Sequence, residues 1–133
     1  DAVEVLVGEY LKMIKRFAKA EDIIVFNKNI AQAQNRSEKE AKISYTKAYL
    51  PFLKGYNISL DVKGEKLNSF EFSRIFENSA NINFFIGGAY GFEDEFLGRT
   101  QKVISLSSLT YAHKIAKVVL FEQIYRGLCL RAN

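Results

Sequence analysis

The chain has 133 residues, of which 48% are hydrophobic and 26% are charged. That length can bury one core and is too short for two ordinary domains, so we expect a single domain over residues 1–133. A single cysteine and a single histidine exclude a cysteine-rich metal site and argue against a zinc site. We therefore expect no bound metal.

The formal charge is +4, from 19 lysines and arginines against 15 acidic residues, which favours an anionic partner weakly. No apolar run has the length that a bilayer span needs, and the first nine residues lack the basic start of a signal peptide. The composition therefore predicts a cytoplasmic protein without membrane contact.

The first segment, residues 2–19, is predicted to be an amphipathic helix. Its apolar stripe consists of Val3, Leu6, Val7, Tyr10, Ile14 and Phe17. Its opposite face is basic and carries Lys12, Lys15, Arg16 and Lys19. This face is either an ordinary solvated surface or a contact for RNA phosphates, and the sequence leaves both interpretations open.

The next segment begins with a predicted polar loop through Asn35 and Arg36. It ends at Ser37, which with Glu40 predicts a capping box and a second helix that runs toward Pro51. Proline at that position predicts an irregular helix end, because it removes a backbone hydrogen bond.

A βα rhythm follows. Residues 57–62 predict a strand and residues 63–67 a loop, and a further helix is predicted to open at Asn68 with Glu71 as its capping partner.

Two short apolar runs, residues 83–86 and 102–106, end in loops and are followed by helical patterns. Gly87 and Gly88 close the first run, and the serine-rich residues 107–110 close the second. Strand, loop and helix in succession predict a parallel sheet, whose carboxyl edge is where α/β proteins bind ligands. We expect a ligand site at these two loops.

The last predicted helix, residues 112–130, is apolar on both sides. One face carries Ile115, Val118, Val119 and Cys129, and the opposite face carries Leu120, Phe121, Ile124 and Leu128. A helix of this kind is buried twice, against its own sheet and against a second subunit, so we expect a homodimer. Glu122 and Arg126 lie on the first face at i and i+4. They are either a structural pair that sets helix or dimer register, or a polar pair at the mouth of a site.

Four blocks carry a family resemblance: SLDVKG at 59–64, FIGGAYG at 85–91, ISLSSLTYAH at 104–113 and VVLFEQIYR at 118–126. In this order and spacing they resemble the RlmH family of SPOUT-class methyltransferases, which act on N3 of a pseudouridine in 23S ribosomal RNA. The similarity covers nearly the whole chain and is weaker before residue 58. GGAYG alone is a weak signal, because it does not match the dinucleotide-binding pattern.

The resemblance implies an α/β SPOUT-type sandwich with a parallel-rich sheet and a C-terminal trefoil knot over about residues 83–133. It also implies S-adenosyl-L-methionine in the knot loops and a homodimer that completes each site. By matching positions, the cofactor would be surrounded by Leu60, Gly87, Leu106, Ser107, Ser108, Leu109, Thr110 and Tyr111.

The same resemblance implies three catalytic candidates, His113, Glu122 and Arg126. The target nitrogen carries a proton at neutral pH, so a group must accept it, and an arginine can stabilise the developing anion or hold a phosphate. His113 can equally be a residue that makes a hydrogen bond at a helix start.

Family members open on a strand and end in a short tail, whereas this chain opens on a helix and stops at Asn133. We expect further residues before Asp1, and the sequence leaves open whether the protein has the tail. Three functions stay open at this point. They are a methyltransferase acting on 23S rRNA in the assembled ribosome, a knotted methyltransferase acting on another RNA such as tRNA, and a non-catalytic RNA- or nucleotide-binding module.

Overall fold

A computed structural model of the protein describes residues 1–25, 27–88 and 90–132. The helices of this part of the chain are α1 (Ala2–Ile14), α2 (Lys28–Arg36), α3 (Glu38–Tyr49), α4 (Ser69–Ser73), α5 (Asp94–Gly98) and α6 (His113–Ala132). The strands are β1 (Tyr56–Lys66), β2 (Ile82–Ile86) and β3 (Lys102–Ser105). Strands alternate with helices from β1 onward, which confirms the predicted α/β class.

The three strands form one parallel sheet in the order β2-β1-β3. The central strand β1 pairs Leu60 with Ile86 on one side and with Ile104 on the other. Because all three strands run in the same direction, their carboxyl ends lie at one edge. The parallel sheet predicted from the strand-loop-helix pattern is confirmed.

The central strand is interrupted by a bulge at residues 61–64. Both Leu60 and Glu65 pair with Ile104, and pairing then resumes between Lys66 and Ser105. The predicted loop over residues 63–67 is therefore wrong for most of its length. The strand can resume because Gly64 has no side chain: a Cβ there would lie 2.5 Å from the carbonyl carbon of Ile104.

Helices cover both faces of the sheet, as the alternation of side chains along β2 requires. Phe85 packs on one face in a cluster with residues of α2, α3 and α5. Phe84 and Ile86 pack on the opposite face, where the cluster includes Phe72 of α4 and Leu120 of α6. The sheet therefore forms the middle layer of three.

A third cluster joins the first and last helices. Val7 and Ile14 of α1 pack against Phe121 of α6, and Val118 also packs there. Val118 and Phe121, which were predicted on opposite faces of the last helix, therefore pack in the same cluster. Leu6 was assigned to the buried stripe of α1 but is exposed.

Two helix predictions need correction. The first helix ends at Ile14, because the chain turns there and the Phe17 amide donates to the Ile14 carbonyl at 2.8 Å. The predicted loop through Asn35 and Arg36 is wrong, because those residues belong to α2. Burial of Ile30 against the aromatic core outweighs the polar composition of α2.

The predicted helix caps are present in full or in part. Asn68 and Glu71 form the predicted capping box at the start of α4. The Ser37 hydroxyl accepts from the Glu40 amide at 3.0 Å, which is half of the predicted box at α3. Pro51 lies in a short 3-10 turn directly after α3, as expected for an irregular end.

Candidate active site

Three predicted cofactor residues come together at the carboxyl edge of the sheet. Leu60 lies opposite Ile86 and Ile104 on its two neighbouring strands. Gly87 follows Ile86 by one residue, which is about 3 Å along a strand. Leu106 follows Ile104 by two residues, which is about 7 Å. The sheet register therefore brings Leu60, Gly87 and Leu106 to one place.

The glycine loop after β2 is a tight turn. The Gly91 amide donates to the Gly88 carbonyl at 3.1 Å, and Gly91 has φ +80°, which favours glycine. A Cβ on Gly88 would overlap the Tyr45 ring. Ala89, inside this motif, lies outside the described residues. The loop therefore packs closely on α3.

The serine-rich loop after β3 is held by its own hydroxyl groups. The Ser105 hydroxyl donates to the Ser107 carbonyl at 2.8 Å, and the Ser107 hydroxyl accepts from the Leu109 amide at 3.0 Å. The Ser108 hydroxyl accepts from Nζ of Lys66 at 2.5 Å. Leu109 is 70% exposed, and Thr110 and Tyr111 are also exposed. The loop therefore presents both apolar and polar groups to a ligand.

His113, the first residue of α6, connects the helix to the glycine loop. Its Nδ1 atom lies 2.8 Å from the Gly87 carbonyl oxygen. Because a carbonyl only accepts, Nδ1 carries the hydrogen and donates, which leaves Nε2 as the lone-pair atom of the neutral ring. The interpretation of His113 as a helix-start hydrogen-bonding residue is confirmed. His113 also lies at the predicted cofactor loop, where a catalytic residue would be placed.

Tyr49 of α3 contacts the same strand end and was not identified from the sequence. Its hydroxyl donates to the Ile86 carbonyl at 2.6 Å. Burial of the ring raises the pKa of Tyr49 above its usual value, so the hydroxyl keeps its proton. The only signal in the sequence was the i to i+4 spacing of Tyr49 from Tyr45. That spacing is equally typical of aromatic residues that only pack in a core.

Glu122 and Arg126 form the predicted ion pair, with Oε2 and Nη2 at 2.8 Å. The hydrogen bond from Arg126 to the Glu122 carboxylate raises the pKa of Arg126. The Gln123 amide also donates to Glu122 at 2.7 Å, and the Ser69 hydroxyl donates to Gln123 at 2.7 Å. The pair is half-exposed rather than buried, so its carboxylate and guanidinium are positioned without a large desolvation cost.

The three catalytic candidates are not brought together within one protomer. At 1.5 Å per residue, Glu122 lies about 14 Å and Arg126 about 20 Å from His113 along the axis of α6. His113 and the ion pair of Glu122 with Arg126 therefore lie at separate places along α6.

The four basic candidates are all exposed. Lys12 lies in α1 and Lys15 is its C-cap, whereas Arg16 and Lys19 follow the helix. The prediction of one basic helix face is therefore wrong in its geometry, because the helix ends before the last two residues. Contact with RNA stays a prediction.

The loop cluster combines apolar side chains with polar backbone groups. Leu60 is buried and packs in one cluster with Leu106, and the backbone of residues 107–111 supplies hydrogen-bond donors and acceptors. Two open clefts, between α3 and α5 and between α1 and α6, are lined by none of the eight predicted cofactor residues.

Neither a metal site nor a membrane-spanning helix occurs in the described part of the chain. No group of histidine, cysteine and acidic residues there could hold a metal ion. No helix there is both long and apolar enough to cross a bilayer.

These features define a class: a parallel α/β protein in which a glycine loop, a serine-rich loop and a histidine meet at the carboxyl edge of the sheet. Comparison with known proteins identifies the member of this class. The chain belongs to the SPOUT methyltransferase family, because the family model described as "Predicted SPOUT methyltransferase" matches residues 1–133.

Relatives named "Ribosomal RNA large subunit methyltransferase H" align over nearly the whole chain. The protein of this name from Aliarcobacter butzleri is 51% identical over 133 residues, covering 100% of this chain and 88% of the relative. The one from Campylobacter concisus is 50% identical with the same coverage. The one from Campylobacter hominis is 48% identical, covering 96% of this chain and 84% of the relative. The resemblance to the RlmH family is confirmed.

Proposed function

We propose that this protein transfers a methyl group from S-adenosyl-L-methionine to the ribosomal RNA of the large subunit. The observation that carries the proposal is the meeting of the loops after β2 and β3 at one sheet edge, in a chain 51% identical over its whole length to a relative named for this activity. Family membership supports the same reaction class.

The cofactor supplies a methyl group on a sulfonium when it is bound. Leu60 and Leu106 would pack on its adenine ring, because Leu60 lies directly before the bulge of β1 and Leu106 directly follows the neighbouring strand β3. Gly87 and the backbone of residues 107–111 would provide close approach and hydrogen bonds. Ser108 and Tyr111 lie on the exposed rim of the same loop, where they can contact the rest of the molecule.

The substrate atom is N3 of a pseudouridine in 23S rRNA. His113 is placed to accept its proton at Nε2, because Nδ1 already donates to Gly87. Arg126, held by Glu122, stabilises the negative charge that develops on the base or binds a neighbouring phosphate.

A homodimer completes the site. Because Glu122 and Arg126 are about 14 and 20 Å from His113 along α6, a second protomer is needed to place such a pair beside the loops. The contact surface would be the outer face of α6, which we define by the exposed residues Ile115 and Leu130. Ile115 is 47% exposed. The trefoil knot over about residues 83–133 belongs to the same proposal.

The assembled ribosome in the cytoplasm is the proposed substrate particle. A small basic domain with a charge of +4 would recognise a shape that a large assembly supplies. Lys12, Lys15, Arg16 and Lys19 would contact RNA phosphates.

The test uses the full-length protein, radiolabelled S-adenosylmethionine, and RNA particles from cells that lack the corresponding gene. Assembled ribosomes, separate subunits and tRNA are offered in parallel. Label only in the large-subunit RNA of assembled ribosomes is the expected result. Label in tRNA would instead identify a knotted methyltransferase with another substrate, and cofactor binding without label on any RNA would overturn the proposed reaction.

A further inference from the structure

An ion pair between Asp22 and Lys117 is more shielded from solvent than the other ion pairs of the described residues. The Lys117 ammonium lies 3.1 Å from Oδ1 and 3.2 Å from Oδ2 of Asp22. The two side chains are 22% and 15% exposed, whereas every other pair has at least one partner that is 47% exposed or more. Shielding from water and salt strengthens the attraction within such a pair.

The pair lies about one turn of α6 from His113, whose ring contacts the glycine loop. Lys117 is four residues after His113, so the two side chains share one face of α6 about one turn apart. Asp22 also contributes to the raised pKa of Tyr49, which places its carboxylate within electrostatic range of that hydroxyl. Tyr49 and His113 in turn contact the successive carbonyls of Ile86 and Gly87.

The charge pattern of α6 explains why an external carboxylate is needed. The helix has no acidic residue in its first turn, although Lys114 and Lys117 lie in its first two turns. Positive charge near a helix N-terminus is unfavourable, because the backbone dipole is positive there. Both compensating carboxylates come from other parts of the chain: Asp1 pairs with Lys114 at the surface, and Asp22, between α1 and α2, pairs with the shielded Lys117.

We propose that Asp22 and Lys117 are positioning residues for the methyltransferase site. Their ion pair fixes the first turns of α6 against the segment between α1 and α2, and so holds His113 against the Gly87 carbonyl. The inference rests on the proposed function for its catalytic meaning, because His113 and Gly87 belong to the proposed cofactor site.

The test compares Lys117→Met with Lys114→Met. Both lysines lie at the start of α6 and both form ion pairs, but Lys114 pairs with Asp1 at the surface. His113 is the sole histidine of these 133 residues, and its imidazole NMR signals are identified by their loss in His113→Asn. Each variant is examined for these signals, for the Kd of S-adenosylhomocysteine, and for KM and kcat of methyl transfer.

Lys117→Met is expected to shift the imidazole signals and to raise the Kd of S-adenosylhomocysteine about tenfold, which corresponds to about 1.4 kcal/mol. KM for the methyl donor should rise by a similar factor, with a smaller change in KM for ribosomes. Asp22→Asn should act in the same direction, Lys117→Arg should restore wild-type values, and Lys114→Met should leave all of them unchanged.

Unchanged imidazole signals and an unchanged Kd in folded Lys117→Met or Asp22→Asn would overturn the proposal, even if thermal stability fell. The same holds if Lys114→Met has an equal effect. Failure of the proposed function is distinguishable, because it would appear as absent cofactor binding or methyl transfer in the wild-type protein. The imidazole signals would still report whether the ion pair positions His113.

Discussion

Tyr49 and His113 hydrogen-bond to successive carbonyl oxygens of one strand end from helices on opposite faces of the sheet. The Tyr49 hydroxyl donates to Ile86 at 2.6 Å, and Nδ1 of His113 donates to Gly87 at 2.8 Å. These two contacts set the direction in which the chain leaves β2, and therefore the shape of the glycine loop.

His113→Asn separates the two roles of the histidine. Asparagine keeps an N–H donor for the Gly87 carbonyl but has no atom in place of Nε2. We expect kcat to fall by about 10²- to 10⁴-fold, as for loss of a general base, with the Kd of S-adenosylhomocysteine changed by less than about tenfold. Single-turnover methyl transfer and calorimetry measure both. His113→Ala, which also loses the donor, should weaken cofactor binding as well. Turnover near wild type in the Asn variant would exclude a proton-transfer role.

Arg126→Lys tests whether the planar guanidinium of Arg126, rather than its charge alone, is required. Lysine keeps the charge but cannot make the two-pronged contact that Arg126 makes with Glu122. We expect kcat to fall about tenfold or more while the thermal unfolding midpoint barely moves, because the pair is solvent-accessible. Arg99→Lys is a matched control, since Arg99 forms an i to i+4 pair with Glu95 at 3.3 Å away from the site. Equal effects of the two substitutions would contradict a specific role for Arg126.

Gly64→Ala tests the close passage of β1 past β3. The added Cβ would lie 2.5 Å from the Ile104 backbone, so we expect a loss of about 1–3 kcal/mol in the free energy of unfolding. Gly8→Ala is the control, because Gly8 lies inside α1 with open space around it and should gain about 0.5–1 kcal/mol. Urea unfolding followed by circular dichroism measures both. A neutral Gly64→Ala would mean that the strands do not approach as described.

Tyr49→Phe tests the buried hydroxyl through pH. An unfolded tyrosine ionises near pH 10, whereas burial raises the pKa of folded Tyr49 above that value. Between the two pKa values the unfolded chain loses the proton first, so stability should fall as pH rises above 10, by up to about 1.4 kcal/mol per pH unit. Tyr49→Phe should be less stable at pH 8, where it lacks the Ile86 hydrogen bond, and should show a shallower alkaline decline. Parallel slopes for the two proteins in urea unfolding at pH 8, 10 and 11 would refute the assignment.

Ile115→Glu tests the proposed dimer. Ile115 is exposed on the outer face of α6, and a charge there would be buried in an interface between two protomers. We expect a monomer by light scattering, with methyl transfer lost and the folded state retained. Phe52→Glu alters an exposed apolar residue in the turn after α3 and should leave the oligomeric state unchanged. If Ile115→Glu remained a dimer, the interface would not include Ile115.

Local signals in the sequence were reliable where a few neighbouring residues decide the outcome. The capping box at Asn68 and Glu71, the irregular helix end at Pro51 and the pair of Glu122 with Arg126 depend on spacings of three or four residues or on a single ring, and all three are present. The polar stretch of α2 was misread, because its helix depends on burial of Ile30 against residues far along the chain.

The α/β class, the order of strands and glycine or serine loops, and the RlmH resemblance were all predictable from the sequence, because alternation, turn residues and motif spacing are local properties of the chain. Three features depend on tertiary contacts: β1 resumes beyond Gly64, Tyr49 and His113 bind neighbouring carbonyls, and Asp22 reaches Lys117. The physical reason is that these contacts join residues 26 to 95 positions apart, and packing rather than local preference brings such residues together.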